Sequence, residues 1–243
     1  MVMALPPPPE VHGPIVAVLF DYSSTLVDIG EPRAWLEAAW AHAGRAGAAL
    51  AALGPARRDL LVLGLSQLWG GLGEVDPDNL RDLDPARHRI VFHTLLHRLP
   101  EVDGTLEAAL YAVLPEVCTP YEDARPTLES LKRRGLRLAL VSNIARDLRP
   151  ELRRSRLLDL FDAVILSFEV GVVKPHAPIF QLALDALGAP AARALMVGDD
   201  PYMDAGAALL GIRTLILPTT SGPNHGLGLV LGLVGPGPAQ AWT

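Results

Sequence analysis

The chain of 243 residues has a formal net charge of −6, which argues against a nucleic-acid partner, because binding a phosphate backbone needs clustered positive charge. No apolar run reaches the roughly eighteen residues of a membrane-spanning helix, and a single cysteine, Cys118, excludes an intrachain disulfide. We therefore expect a cytoplasmic protein that binds neither nucleic acid nor membrane, and the sequence leaves its oligomeric state open.

The first predicted strand follows a Pro-rich segment, residues 1–14, which we expect to be a flexible tail because proline cannot join a regular hydrogen-bonded element. Residues 15–20 (IVAVLF) form a continuous apolar run, typical of a strand buried on both faces of a parallel sheet. Similar runs, each separated from the next by helix-like stretches, occupy residues 136–142, 163–167, 194–198 and 213–217. This alternation predicts an α/β fold with a Rossmann-like parallel sheet and helices on both faces.

The interval between the first and second predicted strands is longer than a simple crossover needs. Its apolar residues recur at three- and four-residue spacing, which predicts four helices with Trp35, Trp40, Trp69 and Phe92 in their core. We predict an α/β core of residues 15–28 and 122–220, interrupted by an all-helical cap at 29–121. A Gly/Pro-rich C-terminal tail, residues 221–243, follows, and its segment GLGLVLGLV fits a short strand or a short helix.

Polar side chains follow several of the predicted strands, where each strand ends. They are Asp21 after the first strand, Ser142 and Asn143 after the second, Lys174 in the loop beyond the third, and Asp199, Asp200 and Asp204 after the fourth. An isolated Asp is more often a helix cap or a turn residue. In open parallel sheets, however, ligands bind beyond the carboxyl ends of the strands. With only one other lysine in the chain, Lys132, the placement of Lys174 favours a functional role, and the set predicts one catalytic crevice.

Four motifs in chain order, DYSST, VSN, VVKPHAPIF and VGDDPYMDAGAALLGIRT, make the sequence resemble the haloacid dehalogenase superfamily. The resemblance extends from Ile15 to Pro218, and the last two motifs are its most specific part. The helical insert corresponds in position to the cap of that superfamily. The resemblance implies a Mg²⁺-dependent hydrolase, with a phosphatase acting on a small phosphorylated metabolite as the expected activity.

The resemblance also implies a role for each residue of the motifs. Asp21 would be the nucleophile that forms an aspartyl-phosphate, and Lys174 and Ser142 would stabilise the charge of the transferring group. Thr25 and Asn143 would bind the substrate phosphate. Mg²⁺ would be held by Asp21, Asp199 and the backbone carbonyl of Ser23, with Asp200 and Asp204 supporting the site from outside the ligand set. Candidate cap contacts are Arg33, Arg45, His93 and His97.

Ser23 departs from the pattern of the family's phosphatases, which have an Asp at this position as general acid and base. A serine hydroxyl donates a hydrogen bond but cannot act as an acid or base near neutral pH, and such help is worth roughly 10²–10⁴ in rate. A slow phosphatase, or one suited to good leaving groups, is therefore expected. Ser24 also replaces the family's usual Gly.

Three alternatives remain to be weighed against a phosphatase. A catalytically impaired phosphate-binding or regulatory protein is favoured by Ser23 but not by the joint presence of Asp21, Lys174 and Asp199. A phosphonatase needs a cap lysine, and no lysine lies between Asp21 and Tyr121. A haloacid dehalogenase lacks the paired acids of the last motif, whereas Asp199 and Asp204 are present here.

Overall fold

The computed structural model describes residues 13–44, 48–220 and 222–235, so the predicted N-terminal tail lies almost wholly outside the described residues. Seven strands occur in this part of the chain. They are β1 Ala17–Phe20, β2 Val27–Asp28, β3 Thr119–Pro120, β4 Arg137–Ser142, β5 Ala163–Leu166, β6 Ala194–Gly198 and β7 Arg213–Ile216.

Five of these strands form one parallel sheet in the order β5-β4-β1-β6-β7. The central strand β1 is buried along its whole length, as its uninterrupted apolar sequence predicts. Each of the five lies within one of the five apolar runs predicted as strands, at most two residues shorter. The structure therefore confirms the predicted parallel α/β core.

Ten α-helices accompany the strands in the described residues. They are α1 Pro32–His42, α2 Ala48–Ser66, α3 Leu72–Val75, α4 Pro85–Leu96, α5 Gly104–Val117, α6 Ala124–Arg133, α7 Arg149–Arg154, α8 Ser167–Val170, α9 Ala177–Leu187 and α10 Leu229–Leu233. Helix α2 is broken at Gly54, whose φ of 70° is not helical. None of them is both long and apolar enough to cross a membrane.

The chain divides into two compact units. Unit 1 comprises Met1–Val27, Pro120–Asn143 and Asp147–Thr243, and unit 2 comprises Asp28–Thr119 and Ile144–Arg146. Unit 1 holds the parallel sheet, and one of its cores lies where Ile179, Phe180 and Leu184 of α9 pack with residues of β1, β4 and β6.

Unit 2 contains helices α1 to α5 around a separate apolar core. Trp35, Trp40 and Phe92 are buried, and the partly buried Trp69 stacks on Trp35 with ring centroids 6.5 Å apart. These aromatic residues are packing residues, as predicted. Helix α4 begins at a cap that its sequence indicates, since the Asp84 carboxylate accepts the N–H of Ala86 at 2.7 Å.

The described part of the C-terminal segment, residues 222–235, packs on unit 1 and contains the short helix α10. Leu227 and Val230 are fully buried, and the Arg134 guanidinium donates to the carbonyl oxygens of Leu231 and Gly235 at 2.7 and 2.9 Å. Of the two conformations that the sequence left open for GLGLVLGLV, the structure has the helix. The segment is therefore part of the packed core unit up to residue 235.

Candidate active site

The candidate site lies in unit 1, at the carboxyl ends of the parallel strands. Asp21 directly follows β1, and its backbone N–H donates to the Val197 carbonyl of β6 at 2.9 Å, which continues the strand pairing by one residue. Ser142 is the last residue of β4, and Asp199 directly follows β6. The sheet thus fixes where the backbone at each of these positions lies.

Lys174 reaches this edge from the loop after α8 and lies between two carboxylates. Its Nζ is 2.6 Å from Asp21 Oδ1 and 2.6 Å from Asp204 Oδ1, and only 3% of its side chain is exposed. Burial by itself would lower the pKa of Lys174, but the charges of Asp21 and Asp204 outweigh it and raise the pKa above its usual value. Lys174 is therefore a permanently charged cation inside the site.

Asp204 is fully buried, and two hydrogen-bond donors hold its carboxylate. Besides Lys174, the backbone N–H of Asp200 donates to its Oδ2 at 3.0 Å. Gly198 makes the close approach possible, because a Cβ at this position would overlap the Asp204 carboxylate. Both carboxylate oxygens of Asp204 therefore already have protein partners.

Asp199 completes a group of three carboxylates. Ligand oxygens of Asp21, Asp199 and Asp204 all lie within 4.8 Å of one another. Thr25 Oγ1 donates to Asp199 Oδ1 at 3.3 Å, and Thr219 Oγ1 donates to Asp199 Oδ2 at 3.2 Å. Three acids thus face one lysine, which leaves the group with excess negative charge when all are ionised.

The electrostatic consequence appears in the pKa of the acids. Burial, followed by the charges of Asp204 and Asp199, raises the pKa of Asp21 to about 7, although Lys174 opposes the shift. The pKa of Asp199 is also raised, first by burial and then by Asp204. Both acids would ionise more readily with a further cation nearby.

Asn143 has a role that the sequence did not reveal. Its Oδ1 accepts the backbone N–H of Lys174 at 2.7 Å, and its Nδ2 donates to the Lys174 carbonyl at 3.0 Å. The side-chain amide therefore pairs with the backbone of the loop that carries Lys174, and its Nδ2 also lies 3.9 Å from Met203 Sδ, so the side chain holds this loop in place. No sequence spacing links two residues thirty-one positions apart in this way.

The hydroxyl groups near Asp21 differ in their surroundings. Thr25 is fully buried, and its Oγ1 is 3.4 Å from Asp21 Oδ2. Ser142 is only 2% exposed and ends strand β4 at the same sheet edge. Ser23 is exposed and its side chain has no partner in the described chain. Ser24 has a φ of 56°, in the left-handed region that favours the glycine usual at this position.

Asp200 shapes the loop after β6. Its Oδ1 accepts the backbone N–H groups of Tyr202 and Met203 at 2.8 and 2.9 Å, while its own N–H binds Asp204. These contacts are those of a turn-forming side chain, which keeps the loop in place from outside the carboxylate group.

Three of the four predicted cap contacts, Arg33, His93 and His97, belong to unit 2, and the fourth lies outside the described residues. Arg45 lies outside the described residues, and Arg33 forms an exposed ion pair with Asp59 at 2.9 Å. His93 and His97 line an open cavity of about 840 Å³ within unit 2, together with Arg89, Tyr111 and Arg146.

Comparison with known proteins gives a family and several partial relatives. A family model described as haloacid dehalogenase-like hydrolase matches residues 15–210. Over 97 residues, 39% of each chain, the sequence is 42% identical to a phosphoserine phosphatase of Thermus thermophilus. It is 36% identical over 115 residues to the pyrimidine 5'-nucleotidase YjjG of Escherichia coli. This alignment covers 46% of this chain and 51% of that protein. The matches thus span about half or less of these relatives.

Solved structures resemble most of the chain. The L-2-haloacid dehalogenase of Xanthobacter autotrophicus has a TM-score of 0.63 and 27% identity, covering 91% of this chain and 85% of that one. Sequence and fold comparisons therefore agree on the superfamily.

Proposed function

Because the chain belongs to the family of haloacid dehalogenase-like hydrolases, we propose that it is a magnesium-dependent phosphatase acting on a small phosphorylated metabolite. The names of the two relatives, a phosphoserine phosphatase and a pyrimidine 5'-nucleotidase, support this substrate class. The observation that carries the proposal is the buried Lys174, which pairs with Asp21 at the end of β1 and with Asp204.

Asp21 is the proposed nucleophile. An oxygen of its ionised carboxylate attacks phosphorus, the ester P–O bond breaks, and the leaving oxygen takes a proton from solvent. Water then attacks the aspartyl-phosphate, which releases inorganic phosphate and regenerates the carboxylate. Lys174 holds Oδ1 of Asp21 and offsets negative charge as the phosphoryl group is transferred.

The donor set fits a magnesium ion, because carboxylate and carbonyl oxygens are the ligands that this cation prefers. Asp21, Asp199 and the backbone carbonyl of Ser23, the ligand set that the family resemblance implies, would hold it, and the oxygens of Asp21 and Asp199 lie close together. When bound, magnesium supplies positive charge that keeps the acids ionised and neutralises the phosphate oxygens. The pKa values of Asp21 and Asp199 are raised first by burial and then by the neighbouring acids, and a bound cation would lower both.

The phosphoryl oxygens would be bound by donors at the same sheet edge. Ser142 offers its hydroxyl at the end of β4, and Asn143, the next residue, offers its backbone N–H. The Thr25 hydroxyl, predicted to bind the phosphate, has a single proton, which it donates to Asp199, so we assign Thr25 a positioning role instead. We propose Ser142 and Asn143 as the phosphate-binding groups, and Asp200 and Asp204 as residues that position the loop and Lys174.

Ser23 favours one alternative, a protein that binds phosphate but turns over slowly or not at all. The residue is exposed and supplies no acid or base. A dehalogenase is the other alternative, supported by the likeness to the Xanthobacter enzyme and opposed by the three grouped carboxylates.

The test is release of inorganic phosphate from a panel of aryl, alkyl and acyl phosphates, with magnesium and with a chelator. We expect magnesium-dependent turnover by the wild type and none by Asp21→Asn. Equal phosphate release by both proteins would refute the proposed nucleophile. Phosphate binding without turnover would support the first alternative, and halide release from 2-chloropropionate would support the second.

A further inference from the structure

A buried histidine in the C-terminal segment has no part in the mechanism above. His225 lies beyond residues 15–210, which the family model matches, and only 4% of it is exposed. Its imidazole stacks on Tyr121 with ring centroids 4.7 Å apart and an interplanar angle of 12°. A buried imidazole needs partners for its nitrogen atoms, so these contacts identify what the residue holds.

Both ring nitrogens face backbone carbonyl oxygens of other segments. Nδ1 is 3.1 Å from the carbonyl of Thr25, and Nε2 is 3.0 Å from the carbonyl of Pro218. Carbonyl oxygens only accept hydrogen bonds, so the imidazole must donate, to one of them when neutral and to both as imidazolium. The ring therefore joins the loop after β1 to the loop after β7.

These two loops also hold Asp199 from opposite sides. Thr25 donates its hydroxyl to Oδ1 of Asp199, and Thr219, adjacent to Pro218, donates to Oδ2. One carbonyl oxygen that His225 contacts is that of Thr25 itself, and the other is that of Pro218, the residue before Thr219. The orientation of the Asp199 carboxylate thus depends on the two segments that the imidazole connects.

The backbone of His225 is itself fixed by Asp123 at the beginning of α6. The Asp123 carboxylate accepts the N–H groups of His225, Gly226 and Leu227 at 3.1, 2.8 and 2.8 Å. Three hydrogen bonds to one charged acceptor hold the turn that carries the imidazole. His225 is therefore anchored to unit 1 independently of the two carbonyls it contacts.

We propose that His225 is a positioning residue that orients Asp199 through Thr25 and Thr219 and thereby sets the affinity for the divalent cation. The inference rests on the proposed function, because it takes Asp199 as a cation ligand. It adds a residue from outside the matched family region to the proposed site.

The experiment measures magnesium binding by isothermal titration calorimetry, without substrate, for the wild type, His225→Phe and Val230→Ala. Phe keeps an aromatic ring against Tyr121 but removes both ring nitrogens. Val230 is fully buried in α10, so its truncation loosens the same segment without removing a hydrogen bond. We expect magnesium binding roughly 10- to 100-fold weaker in His225→Phe, as when other groups that orient metal ligands are removed, and close to wild type in Val230→Ala.

Two further variants keep the inference testable if His225→Phe folds poorly. Thr219→Val removes one hydroxyl at nearly constant shape and should weaken magnesium binding in the same direction. His225→Gln retains one donor group, and we expect an affinity between those of the wild type and His225→Phe. Since His225 acts through the threonines, the loss in a Thr219→Val/His225→Gln double variant should be smaller than the product of the single losses.

Unchanged affinity in both His225 variants would overturn the inference, as would equal losses in His225→Phe and Val230→Ala. A wild type that binds magnesium but releases no phosphate would contradict the proposed function alone. A wild type that binds no magnesium would contradict both.

Discussion

Replacing Lys174 with Met tests the electrostatics of the site directly. The change removes the cation from between Asp21 and Asp204 while keeping a side chain of similar length. It leaves three carboxylates within 4.8 Å without their lysine, in a buried environment. Removing one partner of a buried ion pair lowers the free energy of unfolding by about 3–5 kcal/mol, because it leaves the other charge buried and unpaired. For a chain of this size we expect the melting temperature to fall by about 6–20 °C at pH 8, taking about 2–4 °C per kcal/mol.

The sign of the pH dependence follows from the carboxylates. The pKa of Asp21 in the folded protein, about 7, is above its unfolded value, so folding is favoured while Asp21 is protonated and loses stability as pH rises towards and through 7. Lys174 lowers the pKa of Asp21 and Asp199, so its loss raises both further. The deficit of Lys174→Met relative to the wild type should therefore be smaller at pH 5 than at pH 8, and it persists at pH 5 because the contact with Asp204 is lost at both pH values.

The chain offers a matched control in Lys132, the other lysine. Its Nζ lies 2.7 Å from Asp162 Oδ1, but the pair is about one third exposed. An exposed pair of this kind contributes about 0–1 kcal/mol. Thermal melts in metal-free buffer at pH 5 and pH 8 should therefore show little effect of Lys132→Met. Equal losses for the two variants, or a Lys174→Met deficit independent of pH, would refute the reasoning.

Three further changes probe other parts of the site. The side chain of Asp21→Asn cannot ionise, so this variant avoids the stability that the metal-free wild type loses as pH rises from 5 to 8. The melting temperature of the variant minus that of the wild type should therefore increase over this range, and a constant difference would contradict the raised pKa of Asp21. Ser23→Asp should accelerate the hydrolysis of esters with poor leaving groups more than that of esters with good ones, measured as kcat/KM on alkyl and aryl phosphates. Equal acceleration of both would show that the general acid is not missing at position 23. Gly198→Ala would overlap Asp204 and should cost about 1–3 kcal/mol in chemical denaturation, whereas Gly232→Ala meets nothing within 4 Å and serves as control.

The sequence predicts the sheet well because its signal is local. Strands buried on both faces need continuous apolar runs, and each of the five runs contains a strand of the sheet. The expected helical insert likewise follows from periodic apolar residues, although the break at Gly54 and the short α3 are not evident in that pattern. Six of the ten predicted strand ends coincide with the observed ones, and the other four differ by one or two residues, because strand ends pass into loops without a change of hydrophobicity.

The candidate site is predictable only in part, for a related reason. Asp21, Lys174 and Asp199 belong to motifs at strand ends, where parallel topology brings them together. Thr219 and His225 have no such motif, and their contacts with Asp199 and Thr25 join segments about 20 and 200 residues apart. Long-range hydrogen bonds of single polar side chains leave no periodic trace in the sequence. Such contacts are visible only once the chain is folded.

The arrangement of the acids links stability to the proposed activity. Asp204 cannot move away from Asp21 to relieve repulsion, because Lys174 and the N–H of Asp200 hold its two oxygens and Gly198 lets it lie against the sheet. Asp199 is likewise held by hydroxyls on both oxygens. The repulsion is therefore built into the folded backbone and is relieved by protonation of Asp21 or by a bound cation. A cation that binds at the acids should stabilise the fold most at high pH, where protonation no longer competes.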